Sequence, residues 1–284
     1  MVMELTFFNV LHGNTTSIKT DTLNILYDCG TVTKLSKYYF NPFSYFKYSD
    51  KQIDYLILSH PHKDHINRII NITKDNMPKC LSLNQKIPKE LIEEQIEYSN
   101  KEDKEIYKKY LELDSIYNSR VTPNCSPLNY NYNGHVEIQN FEPEKNDIKD
   151  LNYYSITTFL KYQDYSILLT GDNTLENINE LLNNKSFLEK TENIDILLAP
   201  HHGRKSCYHQ EFIKHLNPRI TIISDYKNNN NESAVNQYSE NSRGYEIDIN
   251  GIKKIRKCLT TRNDGSIKIK IENKKLKIYC GVKI

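Results

Sequence analysis

The segment that most constrains this chain is His60-Pro61-His62-Lys63-Asp64-His65, which directly follows the apolar stretch Tyr55–Ser59. A stretch of that length and character reads as a buried strand. A strand ending in a turn can present His60, His62, Asp64 and His65 together beyond a sheet edge. Imidazole and carboxylate groups suit zinc and similar divalent ions. Four potential ligands in six residues exceed the needs of one tetrahedral site, so the pattern predicts two metals sharing the cluster. The competing explanation is a polar turn that happens to be rich in His.

Two further strand ends favour the metal. Leu168-Leu169-Thr170-Gly171-Asp172 delivers a carboxylate after an apolar strand and a glycine, where it can approach a cation closely or bridge two. Ile196-Leu197-Leu198-Ala199-Pro200-His201-His202-Gly203 ends another apolar strand in a His pair. Alone, each is an ordinary turn. Three strand ends that each deliver His or Asp are hard to explain as separate accidents.

The remaining sequence predicts an α/β fold. Strands are expected at Glu4–Val10, Ser17–Lys19, Asn24–Tyr27, Asp54–Ser59, Cys80–Leu83, Val136–Phe141, Ser155–Lys161, Tyr165–Thr170, Asp195–Ala199 and Arg219–Ser224. A hairpin of Ser266–Ile271 and Lys275–Tyr279 follows, turning at Asn273. Helical spacing appears after His65, from Leu175 to Leu182, around Phe212–Leu216, and at greatest length from Pro88 to about Tyr117. The charged stretch Ser99–Glu105 predicts a break within that last segment. The chain reads as one domain over residues 1–284, with a helical insertion at about 85–120. A chain of 284 residues can bury about three quarters of its unfolded surface in one or two such domains.

Charge and cysteine usage narrow the class. Lys and Arg total 38 against 36 Asp and Glu, a net charge of +2 that argues against bulk coating of nucleic acid or a basic membrane-surface binder. No apolar stretch is long enough to span a membrane, and the amino terminus carries no signal-peptide pattern. Six scattered Cys without a C-x-x-C pair are expected to be reduced. Together these predict a cytoplasmic protein with no membrane partner.

With the opening motif, the later Gly-Asp and the Pro-His-His-Gly, the chain resembles the metallo-β-lactamase superfamily, and within it the hydrolase domain of the competence protein ComEC/Rec2. Phe8–Asn14 resembles that group's opening strand and glycine turn, and Asn24–Gly30 its second strand, whose Asp supports the metal loop. Asn152–Asp172 resembles the following hairpin, and Thr260–Gly265 the closing strand turn. The resemblance implies an αββα sandwich with two divalent ions, zinc or manganese, at one edge. It implies His60 and His62 on one metal, Asp64 and His65 on the other, and Asp172 between them. His201 or His202 would add a ligand or a proton-transfer group.

The chain also departs from the family pattern. Many dinuclear relatives have another His between the first motif and the Gly-Asp, where this chain offers only His135. ComEC-like chains carry His-Pro-His beyond the strand matching Arg219–Ser224, where this one reads Asp225-Tyr226-Lys227-Asn228. Weak occupancy of one metal, or its completion by water, Asp225 or Glu232, would follow.

Two divalent ions about 3.5–4 Å apart can generate a hydroxide near neutral pH and steady the attacking and leaving oxygens. Asp64 fits as ligand and as orienter of the nucleophile, and His201 or His202 as proton donor. Arg204, Lys205 and Ser206 are the candidates for holding a phosphate. By resemblance, the expected activity is hydrolysis of phosphodiesters in DNA. The alternatives are hydrolysis of a small nucleotide, ester or amide, or a binding or regulatory module with a degenerate site. The aromatic tract Tyr38–Tyr48 could stack bases, although packing explains it slightly better. A solvated face accounts for the basic stretches at 253–257 and 274–277. His12 is weighed as a supporting residue, while His209 and His215 read as structural.

Overall fold

Period-two alternation along the strands sets the layering, because each strand sends successive side chains to opposite faces. The computed structural model describes residues 1–31, 40–48, 52–226, 232–249 and 252–282. Strands β1 (Val2–Phe7), β2 (Thr16–Lys19), β3 (Asn24–Tyr27), β4 (Tyr55–Ile57) and β5 (Cys80–Ser82) join two late strands, β14 (Ile267–Glu272) and β15 (Lys275–Tyr279). They form one sheet in the order β15-β14-β1-β2-β3-β4-β5. The second sheet takes β6 (Val136–Phe141), β7 (Thr157–Tyr162), β8 (Tyr165–Leu169), β9 (Ile196–Leu198), β10 (Ile220–Ile223) and β13 (Cys258–Thr260), in the order β13-β10-β9-β8-β7-β6. Strands β11 (Tyr245–Ile249) and β12 (Ile252–Arg256) pair as a separate hairpin.

Three buried apolar layers follow. Leu5, Phe7, Ile25, Tyr27, Ile57, Ile167, Leu169, Ile196 and Ile222 fill the space between the sheets. Their neighbours in sequence point the other way: Leu26, Leu56 and Leu58 meet helices outside the first sheet, while Leu168, Leu197 and Ile223 meet helices outside the second. The outer helices of the first sheet are α1 (Pro42–Tyr48), α3 (Lys89–Tyr98) and α4 (Lys101–Ile116); the short α2 (Lys63–Ile66) carries the motif itself. Outside the second lie α5 (Leu175–Asn183), α6 (Lys185–Thr191), α7 (Gln210–Leu216) and α8 (Val235–Glu240), and α9 (Thr261–Asp264) follows β13. The architecture is the expected αββα sandwich.

The long helical segment breaks where its charge density predicted. Helix α3 stops at Ser99, and the Asn100 side chain accepts hydrogen bonds from the Glu102 and Asp103 backbone N–H groups, both at 3.0 Å, to start α4. Ile106, Tyr110 and Leu113 of α4 are buried against the first sheet's outer layer.

The sequence reading did not place β13, the β11–β12 hairpin, or the helices α1, α6, α8 and α9. The basic stretch 253–257 overlaps that hairpin, whose β12 face is exposed as expected of a solvated surface. In the aromatic tract, Phe43 and Phe46 are buried and Phe40 packs on Phe8 at 4.5 Å, so packing wins there. Tyr38 and Tyr39 lie outside the described residues, as do Lys227 and Asn228 of the departure segment.

The topology explains where the motifs meet. β3 runs parallel to β4, and β8, β9 and β10 are mutually parallel, so the residues after all five strands emerge at strand carboxyl ends. The two sheets approach closely at this edge. A side chain at Gly171 would collide with Ser59 Cβ at 2.8 Å, and the Ile156 N–H donates to the Ser59 carbonyl at 2.8 Å.

Candidate metal centre

Asp28 is the hub on which the metal loop is built. It follows β3 with φ +55°, a left-handed conformation that costs a non-glycine residue about 1–3 kcal/mol and therefore needs compensation. The compensation is dense. Ser59 N–H donates to Asp28 Oδ1 at 2.7 Å, Ser59 Oγ to Oδ2 at 2.8 Å, and Asn14 Nδ2 to Oδ2 at 2.8 Å. His65 Nδ1 donates to the same Oδ2 at 2.7 Å, which directs His65 Nε2 away from the hub. Glycine makes the packing possible, since a Cβ on Gly30 would fall 1.6 Å from the Asp64 carbonyl oxygen.

Beyond this loop the functional side chains converge. His65 Nε2 lies 3.0 Å from Asp172 Oδ1 and 3.3 Å from His202 Nε2. His202 Nε2 is 3.2 Å from Asp64 Oδ2 and 3.6 Å from Asp172 Oδ2. One donor atom from each of Asp64, His65, Asp172 and His202 lies within 4.8 Å of all the others. His202 Nδ1 donates to the Ser224 carbonyl at 2.8 Å, fixing the ring so that Nε2 faces the cluster. His60 Nε2 stands 4.0 Å from Asp172 Oδ2 on the other side, and His62 Nδ1 is 3.1 Å from His60 Nε2.

Asp172 Oδ1 is buried with no well-aligned donor, the nearest nitrogen being His65 Nε2 at 3.0 Å. Burying a carboxylate oxygen without a donor is costly. An atom left so, among imidazoles and a second carboxylate, fits a divalent cation.

The charges of the group are interlocked. Burial works against the Asp172 carboxylate, but His65 and His202 hold it well below the usual range. Burial likewise opposes Asp64, and hydrogen bonds from His12 and His202 hold it low. Against their own burial, His65 is raised well above an ordinary imidazole by Asp172 and Asp28, and His202 is raised by Asp172 and Asp64. Burial pushes His60 well down, helped by the neighbouring His65. His201 is also lowered by burial, which Asp172 only partly offsets.

Residues 8–75, which contain the His60–His65 motif and its Asp28 hub, match the family model described as the metallo-beta-lactamase superfamily. That match covers the first part of the chain, where it is similar to the metallo-beta-lactamase superfamily. The chain is 28% identical over 179 residues to ComE operon protein 3 of Bacillus subtilis (strain 168), a match covering 63% of this chain and 21% of that protein. The chain thus spans about a fifth of the length of that relative. Among solved structures, the metallo-beta-lactamase fold protein YhfI from Bacillus subtilis aligns at 14% identity over 78% of this chain and 85% of its own, with a TM-score of 0.40. A diphosphatase from the PhnP family aligns at 11% identity over 99% of this chain and all of its own, with a TM-score of 0.43.

Most sequence-expected site residues stand at one edge. The expectation left open which of His201 and His202 supplies a ligand; the structure groups His202 with Asp64, His65 and Asp172 and leaves His201 beside them. The reason lies in the backbone. Pro200-His201-His202-Gly203 turns with φ of +50° at His201, +53° at His202 and +67° at Gly203, which swings the two rings apart. His201 Nε2 comes no nearer than 3.7 Å to Asp172 Oδ2, and its Nδ1 meets Cys207 Sγ at 3.1 Å.

Arg204 is half-buried with its Nε unpartnered, and its charge reaches His201. Lys205 and Ser206 are exposed beside it. Lys63 turns away to pair with Asp103 at 3.0 Å, tying the motif to α4.

Neither completion by Asp225 nor the His135 option holds geometrically. Asp225 is buried with its Oδ2 3.1 Å from Arg262 Nη1. Glu232 meets the region through its carbonyl, which accepts from the Lys205 N–H at 2.7 Å. His135 is exposed beside Gly134, which packs on Thr20 and Thr22 at the opposite end of β2 from Gly13. His12 gains weight, since its Nε2 is 3.3 Å from Asp64 Oδ2 and its ring lies 4.9 Å from that of His202. The glycine two residues from Leu11 hinted at this in sequence, but only folding brings the loop over Asp64.

His209 caps α7 by accepting from the Phe212 N–H at 3.2 Å, and His215 Nε2 meets Thr191 Oγ1 at 3.0 Å, both structural roles as expected. All six cysteines stand unpaired. Among the described residues, no helix is long and apolar enough to cross a membrane.

Proposed function

We propose that this chain is a metal-dependent phosphodiesterase that cleaves DNA, with two divalent ions, zinc or manganese, at the edge bounded by His60, His62, Asp64, His65, Asp172 and His202. The observation that carries the reading is the convergence of Asp64, His65, Asp172 and His202, whose donor atoms lie within 4.8 Å of one another. Divalent ions bound there would act as Lewis acids and lower the pKa of a coordinated water.

The chain's own residues supply the rest. Asp28 and Ser224 hold His65 and His202 with Nε2 toward the cluster. His12, about one-third exposed, stands on the open side of Asp64 and is suited to pass a proton to or from a leaving oxygen. His201 is kept neutral by burial, so it suits proton acceptance rather than donation. Arg204, with Nε lacking an acceptor, is suited to a phosphate oxygen, and Lys205 and Ser206 extend that side.

The choice of DNA is supported by the resemblance to the competence-protein hydrolase domain, with which the match to ComE operon protein 3 agrees. Because net charge is only +2, DNA would have to be held by this local patch. The test is incubation of purified protein with linear, circular and single-stranded DNA plus manganese, beside an Asp64→Ala/His65→Ala control. Cleavage by the wild type and not by the control supports the reading. Hydrolysis of a generic phosphodiester with no cleavage of any nucleic acid moves the assignment to a small substrate, and no metal uptake at all moves it to a binding module.

A further inference from the structure

The quartet around Asp172 would hold one ion; on the other side of Asp172 stand His60 and His62, with His201 Nε2 3.7 Å from Asp172 Oδ2, and that side has room for a further donor. The hydrogen-bond chain fixes which atoms face that gap. Ser59 Oγ spends its one proton on the Asp28 carboxylate, so toward His60 Nδ1, 3.1 Å away, it accepts. His60 therefore carries its proton on Nδ1 and presents a bare Nε2 lone pair. That Nε2 lies 3.1 Å from His62 Nδ1, and His62 Nδ1 lies 2.7 Å from Asn152 Oδ1.

His62 Nδ1 thus stands within hydrogen-bond distance of both His60 Nε2 and Asn152 Oδ1, and Asp172 Oδ2 lies 4.0 Å from His60 Nε2. The single proton on His62 Nδ1 faces two lone pairs, in the position a cation would hold. Asn152 is delivered by design of the backbone. It sits in the short 3-10 turn Leu151–Tyr154, whose preceding Asp150 side chain accepts from the Asn152 N–H at 2.9 Å.

We propose that the Asn152 carboxamide oxygen is a ligand of the metal held by His60 and His62, completing a set of two imidazoles, one amide oxygen and the shared Asp172. The inference rests on the metal reading above. Asn152 is a neutral oxygen donor, outside the usual His, Cys, Asp and Glu ligands. An uncharged oxygen in place of an imidazole makes this site harder than a set with a third imidazole would be, favouring manganese or magnesium over zinc relative to that set.

The test compares wild type, Asn152→Ala and Asn152→His, each checked for folding by circular dichroism. Bound metal is counted after equilibration with manganese or zinc, and ligands are counted by X-ray absorption on the zinc form. Wild type taking up no ion rejects the metal reading itself, before the variants are compared. Given two ions in the wild type, Asn152→Ala is expected to keep one, and Asn152→His to keep two, with one more imidazole per chain around zinc and a shift in preference from manganese to zinc of about tenfold or more. Two ions retained in Asn152→Ala, or no added imidazole in Asn152→His, would overturn the assignment and leave Asn152 as a hydrogen-bond partner of His62.

Discussion

Asp28 Oδ2 holds His65 Nδ1 at 2.7 Å while the opposite nitrogen of the same ring sits 3.0 Å from Asp172 Oδ1. One buried carboxylate at the end of β3 thereby aims an imidazole at another at the end of β8, across the two sheets. A carboxylate behind a ligating His fixes its tautomer and raises its basicity.

Asp28→Asn keeps the shape of this hub but removes its charge and can offer His65 Nδ1 a donor instead of an acceptor. Metal affinity is expected to fall by about 10–100-fold. Competition against a chelating dye measures it, and an unchanged affinity would count against the hub role.

The glycine after the hub is a steric requirement. A methyl at Gly30 would lie 1.6 Å from the Asp64 carbonyl oxygen and 2.4 Å from the His65 nitrogen, backbone atoms that cannot yield like a side chain. Gly30→Ala is expected to cost about 4 kcal/mol or more, in the range reserved for severe core damage. Urea unfolding would show it as a lower midpoint, and a loss under about 1 kcal/mol would mean the loop is less constrained than its packing implies.

The cluster gives the metal-free protein a particular pH dependence. His65 and His202 are raised in the folded state, so the stability they lend is complete below the unfolded value of about 6.5 and is lost as pH rises through their folded values. Asp64 and Asp172 are depressed, so their contribution is present above about 3.9 and is lost as pH falls through their folded values. His60 and His201 are lowered, so they add stability as pH rises through about 6.5, and the melting temperature in chelator should decline only above that, from about pH 7.5 toward 9. Saturating metal, which displaces those protons, should remove the decline and release protons on binding at pH 7. A metal-free melting temperature that climbs over that range would contradict the charge assignment.

Arg204 and Lys63 separate substrate contact from structural charge. Arg204→Ala removes a half-buried guanidinium with an unpartnered Nε, and KM for a phosphodiester is expected to rise about tenfold, as for one lost charge-assisted hydrogen bond, with metal content unchanged. Lys63→Ala breaks a partly exposed pair with Asp103 and should cost under about 1 kcal/mol of stability without moving KM. Equal effects of the two on KM would remove the case for Arg204.

The sequence carried the strand ends well because β-strand carboxyl termini in parallel arrangement leave their chemistry at one edge, and His60–His65, Gly171-Asp172 and His201-His202 each follow an unbroken apolar stretch. Local spacing was enough for these, and for the break at Asn100, where a side-chain cap announces itself in charge and composition. What stayed hidden depends on distant pairing. β13 is three residues long and acquires its identity only by lying parallel to β10. Asn152 is 90 residues from His62, and an amide carries no ligand signature of its own. The turn at His201 and His202 takes positive φ at two non-glycine residues, which no local preference predicts, and that turn decides which ring joins the quartet. Asp225 read as a spare ligand because its partner, Arg262, is brought in by α9 from 37 residues away.

Anomalous diffraction from crystals grown with manganese or zinc tests the central claim most directly. The account predicts two peaks per chain at this edge. One should lie within bonding distance of Asp64, His65, Asp172 and His202, and the other within bonding distance of His60 and His62. No peak at this edge, or peaks only elsewhere on the molecule, would contradict it.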